Sequence, residues 1–213
     1  MPEPVKTRRR YTSSIRRGEA QRSILSAASR LFAERGYLAT SIDDIAREAT
    51  VARPTVFAAA GSKSAILKEV VDIALAGDDE LVPVRDRSWF RDMIDEPDPR
   101  RMLRLHARNI RMIGERAGDV YCAVESAAAA DPGVAALWEA LQRQRLAGSR
   151  MVAEALVRKT ALRDTYDVDT VTDVLWSIGT PMVYRKTVRE RGWAPDRYES
   201  WIADSLCRLF LLD

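Results

Sequence analysis

From Ile24 to Ala74 the apolar residues return every third or fourth position, and nowhere in the chain do they alternate over a strand's length. That period builds helices with one apolar stripe, which must be buried against other elements. With no strand candidate to pair them with, the expected fold class is all-α.

The punctuation divides the pattern. A first helix is expected over 19–35, with Ile24, Leu25, Ala28, Leu31 and Phe32 on one face and Gly36 as a left-handed cap. A short second helix runs from Ile42 to Ala49, with Ser41 as its cap and Asp44 closing a capping box. Thr50-Val51 forms a tight turn. A third helix starts near Arg53, because Pro54 is tolerated only in a first turn, and it ends by Gly61. Ser62 caps a fourth helix, with Ile66, Leu67, Val70, Val71 and Ala74 inward and Gly77 at its end.

Residues 78–99, rich in proline, read as a connection with one short helix. Asp98-Pro99 then starts a helix reaching about Arg116. Its inward side is Met102, Leu103, His106, Ile110 and Ile113, and Arg100, Arg104, Arg108, Arg111 and Glu115 form a solvated face. Residues 119–130 form another helix, and Asp131-Pro132 opens a long one to about Lys159. A helix over 169–191 should kink at Pro181 and end at Gly192. The last helix starts at Pro195 and carries Tyr198, Trp201, Ile202, Leu206, Leu209 and Phe210 as a wide apolar stripe.

Charge and chemistry narrow the function. Residues 1–63 hold 12 Lys+Arg against 6 Asp+Glu, whereas residues 64–213 hold 22 against 25. A basic front end on a mildly acidic body suits a polyanion partner. One histidine and two distant cysteines, Cys122 and Cys207, cannot build an ordinary zinc site. No phosphate-loop, dinucleotide, zinc-protease or nucleophile-elbow motif occurs. No catalytic residue, metal or cofactor is expected, and the chain does not read as an enzyme. No apolar run approaches the ~18 residues of a membrane span, and the basic N-terminus has no apolar stretch behind it. A reducing cytoplasm fits the two unpaired cysteines.

Two short helices joined by a tight turn form a helix-turn-helix, whose second helix enters a DNA major groove. Arg53 can donate two hydrogen bonds to guanine O6 and N7. Thr55 can meet a base or a phosphate. Phe57 can lie along the sugar-phosphate wall or wedge into its own core. Ala58 keeps the helix slim, and Lys63 would pair with a phosphate. Thr40, Ser41 and Pro54 complete the expected DNA-facing set. Arg8, Arg9 and Arg10, with Lys6, could follow phosphates or a minor groove as a basic arm. The expected organisation is an arm over 1–18, a helix-turn-helix head over 19–63, a linking helix over 64–77 and a body over 78–213.

The head resembles the DNA-binding domain of TetR-family transcriptional regulators. The resemblance is carried by ILSAASRLFAERGYLATSIDDIAREATVARPTVFAAAGSKSAILKEVV, and the tail VRERGWAPDRYESWIADSLCRLFLL resembles an actinobacterial-type branch. It implies a homodimer on a palindromic duplex operator, acting as a repressor that a small, largely apolar effector releases. Val174, Ile178, Met182, Trp201, Ile202, Leu206, Leu209 and Phe210 would form the subunit interface. Trp89, Met102, His106, Ile110, Tyr121, Trp138 and Trp176 are the candidate effector contacts, with a packed core role as the other reading of His106. The chain departs from the family at Thr50, where glycine is usual, at Ala60, where a bulky residue is usual, and at Ala52, where a Ser cap is usual. A ligand-binding dimer whose degenerate head meets a protein partner therefore stays open as the alternative.

Overall fold

The computed structural model describes residues 6–78, 80, 82–163 and 166–212, with side chains from residue 18 onward. Helices account for nearly all of it: α1 (Lys6–Arg35), α2 (Ile42–Glu48), α3 (Arg53–Ala60), α4 (Lys63–Ala76), α5 (Ser88–Asp95), α6 (Pro99–Ala127), α7 (Pro132–Val157), α8 (Val168–Ile178), α9 (Pro181–Tyr184) and α10 (Pro195–Phe210). A π-helical segment, Arg185–Glu190, prolongs α9. Among the described residues there is no named strand, only an isolated bridge between Leu162 and Leu211 that pins the chain's end to the α7–α8 connection.

Local signals set the boundaries in the head. Ser41 and Asp44 make the reciprocal capping box on α2, and Ser62 accepts from the Ala65 amide at the start of α4. Gly36, Gly61 and Gly77 stand at positive φ where helices end. The stretch expected to be a basic arm is different: the backbone is already helical at Lys6, so α1 is 30 residues long. The side chains of Lys6, Arg8, Arg9 and Arg10 lie outside those described.

Two differences in the body have one cause. The expected break near residue 117 is absent, and α6 runs unbroken from Pro99 to Ala127. The expected kink at Pro181 is a full break, with Thr180 capping α9 by accepting from the Met182 amide. Gly114 and Gly118 lie where α9 presses on α6. A Cβ at Gly114 would fall 2.5 Å from the Tyr184 Cβ, and one at Gly118 would come 3.5 Å from the Pro181 carbonyl. These glycines provide close approach of two helices, at the modest propensity cost glycine carries inside a helix. Arg111 is not on a solvated face either. It pairs with Glu115 and Glu199, each at 2.6 Å, and so ties α6 to α10.

The buried residues form two clusters. One joins the head to the middle of α6 and the start of α7, from Ile24 and Phe32 through Val56 and Ile66 to Tyr121 and Leu141. The other joins α5, the first half of α6, the end of α7, α8 and α10. The first cluster makes the head continuous with the body, since the core does not divide between Gly77 and Asp78.

Candidate functional site

The turn between α2 and α3 follows from its hydrogen bonds. The Val51 amide donates to the Ala46 carbonyl at 2.9 Å and the Thr50 amide to the Arg47 carbonyl at 3.2 Å. That pair is a Schellman motif, whose left-handed position normally falls to glycine. Here it falls to Thr50, at φ +56, the one described non-glycine residue with positive φ. A β-branched side chain in that region is strained. Ala52, at the N-cap of α3, supplies no side-chain hydrogen bond.

On α3, Val56 is fully buried against α1, while Arg53, Pro54, Phe57 and Ala58 face solvent and Thr55 is half-buried. Phe57 is 48% exposed, so its ring is not a core wedge. The Arg53 guanidinium lies 5.8 Å from the centre of that ring and pairs with Asp43 at 2.7 Å. Both partners are more than half exposed, so this pair holds Arg53 weakly and leaves it free to exchange. Ser41 is exposed, but its hydroxyl is engaged with Asp44.

Thr40 and Lys63 take other places than the DNA-facing ones expected. Thr40 is 1% exposed, and its hydroxyl donates to the Gly36 carbonyl at 2.8 Å, closing the loop between α1 and α2. The Lys63 ammonium turns inward. It donates to the Tyr37 and Thr40 carbonyls at 3.1 and 3.0 Å and lies 4.1 Å from the Tyr37 ring centre. Burial holds its pKa below the usual lysine value.

The same Tyr37 joins head to body, a link that no sequence signal marked. Its hydroxyl donates to Asp131 Oδ2 at 2.6 Å, across 94 residues. The other oxygen, Asp131 Oδ1, caps α7 by accepting from the Gly133 and Val134 amides. The Tyr37 hydrogen bond is the main cause that holds the Asp131 carboxyl below its ordinary range. Burial and the Asp131 partner together push the Tyr37 phenol up.

The candidate effector residues separate into two groups. Met102, Ile110 and the half-buried Trp89 belong to the core cluster of α5, α6, α8 and α10, and His106 lies on the same helix without a partner at Nε2. Tyr121 and Trp138 pack edge-to-face at 5.2 Å, between α6 and α7. Trp176 on α8 meets them through Arg145, whose guanidinium lies 5.3 Å from the indole centre. Arg145 carried no signal in the sequence, because a single arginine among 29 does not stand out.

The expected interface residues also divide. Ile202, Leu206 and Phe210 are buried inside the chain, at 0%, 1% and 0% exposure, because that stripe of α10 packs on α6. They have no area left to give a partner. Trp201 is 39% exposed and packs edge-on against Trp193. Val174, Ile178, Met182 and Leu209 are half-buried.

A solvent-facing short helix behind a tight turn, on an all-helical body, is the geometry of a helix-turn-helix head. The profile of the tetR family of bacterial regulatory proteins matches residues 24–70 of this chain. Solved structures share the fold well beyond the head. A transcriptional regulator from Saccharomonospora viridis, in complex with choline, is 21% identical with a TM-score of 0.69, over 92% of this chain and 100% of its own. NalD of Pseudomonas aeruginosa, the secondary repressor of the MexAB-OprM multidrug efflux pump, is 18% identical with a TM-score of 0.68, over 92% and 99%. FadR of Bacillus subtilis, in complex with stearoyl-CoA, is 14% identical with a TM-score of 0.68, over 86% and 96%. No curated protein matches the chain. Regulators of this family bind DNA and respond to ligands, and no described helix is long and apolar enough to cross a membrane.

Proposed function

We propose that this chain is a repressor that binds a palindromic operator as a homodimer and leaves it when a small, largely apolar effector enters the body. The observation that carries this reading is the exposed first turn of α3. Arg53, Pro54 and Phe57 are presented to solvent on a helix whose start has no side-chain cap. An exposed aromatic beside an arginine held only by a solvent-exposed ion pair suits a partner surface, and a groove wall and a base edge provide one. Thr55 and Ala58 complete the DNA-facing set, and Ser41 stands at the edge of it.

Pairing of two copies would place the two α3 helices roughly 34–36 Å apart, one turn of B-DNA. The surface left for pairing is Trp201 with the half-buried Val174, Ile178, Met182 and Leu209. The ligands of two structural neighbours, choline and stearoyl-CoA, support a body that admits small molecules. An effector that favours one arrangement of body and head shifts the population away from the DNA-binding one. The test is selection from a random duplex library with the purified protein at low salt. A recovered palindrome with half-sites one turn apart is expected. Absence of enrichment contradicts the reading and leaves a head that meets a protein partner.

A further inference from the structure

Three helices of the body meet around Arg145. Its guanidinium donates to Gln142 Oε1 at 2.8 Å and to the Trp176 carbonyl, and it covers the Trp176 ring. Both acceptors are neutral, and among the described residues no carboxylate pairs with it. Tyr121 is fully buried against Trp138, and apart from the adjacent Arg145 guanidinium its hydroxyl has no hydrogen-bond partner. The buried Trp176 Nε1 has none. Burial raises the Tyr121 phenol, the charge and hydrogen-bonding of the adjacent Arg145 partly offset that, and the Glu125 charge adds a smaller upward push.

Buried polar atoms in folded proteins are hydrogen-bonded in the great majority, so two so poorly satisfied at a single seam need a reason. The common chemistry here is donation. Guanidinium and indole N–H can only donate, and the phenol donates readily. Two indoles and a phenol ring supply the flat apolar walls usual in ligand sites. A cation has no place beside a bare guanidinium, although the aromatic faces alone would suit one.

Resting on the ligand-responsive reading above, we propose that Arg145, Tyr121, Trp138 and Trp176 form the polar end of the effector site, and that the effector is a small carboxylate with an apolar or aromatic body. Arg145 pairs with the carboxylate, Tyr121 donates the second hydrogen bond, and the indoles flank the body of the molecule.

The experiment uses the full chain without DNA. The probes are hexanoate, decanoate, benzoate and phenylacetate, each beside its primary amide and its trimethylammonium counterpart, and the readouts are tryptophan fluorescence and melting temperature. At least one carboxylate is expected to shift both signals and to bind at least tenfold more tightly than its amide. Arg145→Met should abolish that preference. Because Arg145 also caps the end of α8, Tyr121→Phe is the companion variant. It removes one hydroxyl and keeps the ring, so the free protein should melt close to wild type while carboxylate affinity falls several-fold. Equal binding of amides, tighter binding of the ammonium compounds, no response to any probe, or unchanged affinity in Tyr121→Phe each overturns the proposal. Duplex selection separates the two readings. An operator without carboxylate binding sinks only the effector class, and carboxylate binding without an operator sinks the repressor.

Discussion

The head and the body treat buried polar groups differently. In the head, each buried polar side chain described has a partner: Thr40 on Gly36, Tyr37 on Asp131, and Lys63 on two carbonyls. In the body, His106 Nε2, Trp176 Nε1 and Tyr198 Oη stand buried and without one, Tyr121 Oη has only the adjacent Arg145 guanidinium, and Arg185 Nε has only Asp119 at 3.4 Å. An orphaned buried group costs about 1–3 kcal/mol. The head gains a fixed shape for a fixed partner. The body carries that cost at several places.

Acid should expose this difference most strongly. Burial lowers His106 from 6.5 to about 4, so the folded protein takes up its proton later than the unfolded chain. Between those values the unfolded state binds more protons, and stability falls as pH drops from about 6.5 towards 4, by up to about 3 kcal/mol. Melting curves at pH 7.5 and 5 should diverge in wild type and much less in His106→Gln. Equal acid sensitivity in both proteins would remove His106 from the comparison.

The joint between the regions comes next in size. Tyr37→Phe keeps the ring beneath Lys63 but deletes the hydrogen bond to Asp131. A bond to a charged partner contributes about 1.5–3 kcal/mol, part of which Asp131 recovers from water and its own capping amides. The expected loss of stability is about 1–2 kcal/mol. The lowered Asp131 carboxyl adds a sign: the contribution is present above the ordinary carboxylate range and fades as pH falls through the folded value. A denaturant midpoint unchanged in Tyr37→Phe would mean that the joint is held by apolar packing alone.

Thr50→Gly should have the smallest effect. Relief of a β-branched residue at φ +56 gains roughly 1–2 kcal/mol, and glycine's freedom in the unfolded chain takes back up to about 1. A modest rise in melting temperature is expected, with operator affinity tighter by a similar factor if strain lets α3 fray. A less stable variant would show that the Schellman turn tolerates threonine without cost.

Legibility in the sequence follows the same division. The head's boundaries rest on neighbours three or four residues apart, so Gly36, the Ser41–Asp44 box, Pro54, Ser62 and Gly77 were all readable; the positive φ at Thr50 was implied only by the family resemblance, where glycine is usual. What was not readable depends on distant partners. Lys63 turns to carbonyls 23 and 26 residues away, Tyr37 to Asp131, and Arg111 to Glu199, 88 residues on. The break expected between Arg116 and residue 119 is absent, because Gly114 and Gly118 serve the close approach of α9, whose Tyr184 and Pro181 are distant in sequence. The stripe of Ile202, Leu206 and Phe210 reads as an interface because periodicity reports an apolar face and not which element covers it.

The central claim is that the exposed turn of α3 reads DNA, and one comparison tests it most directly. Random-duplex selection is run in parallel on wild type and Arg53→Ala. The variant should recover the same palindrome with preference lost at one base position in each half-site, a loss of about 1–3 kcal/mol there, and unchanged preference elsewhere. An identical motif from both proteins would contradict the account, because Arg53 would then face no base.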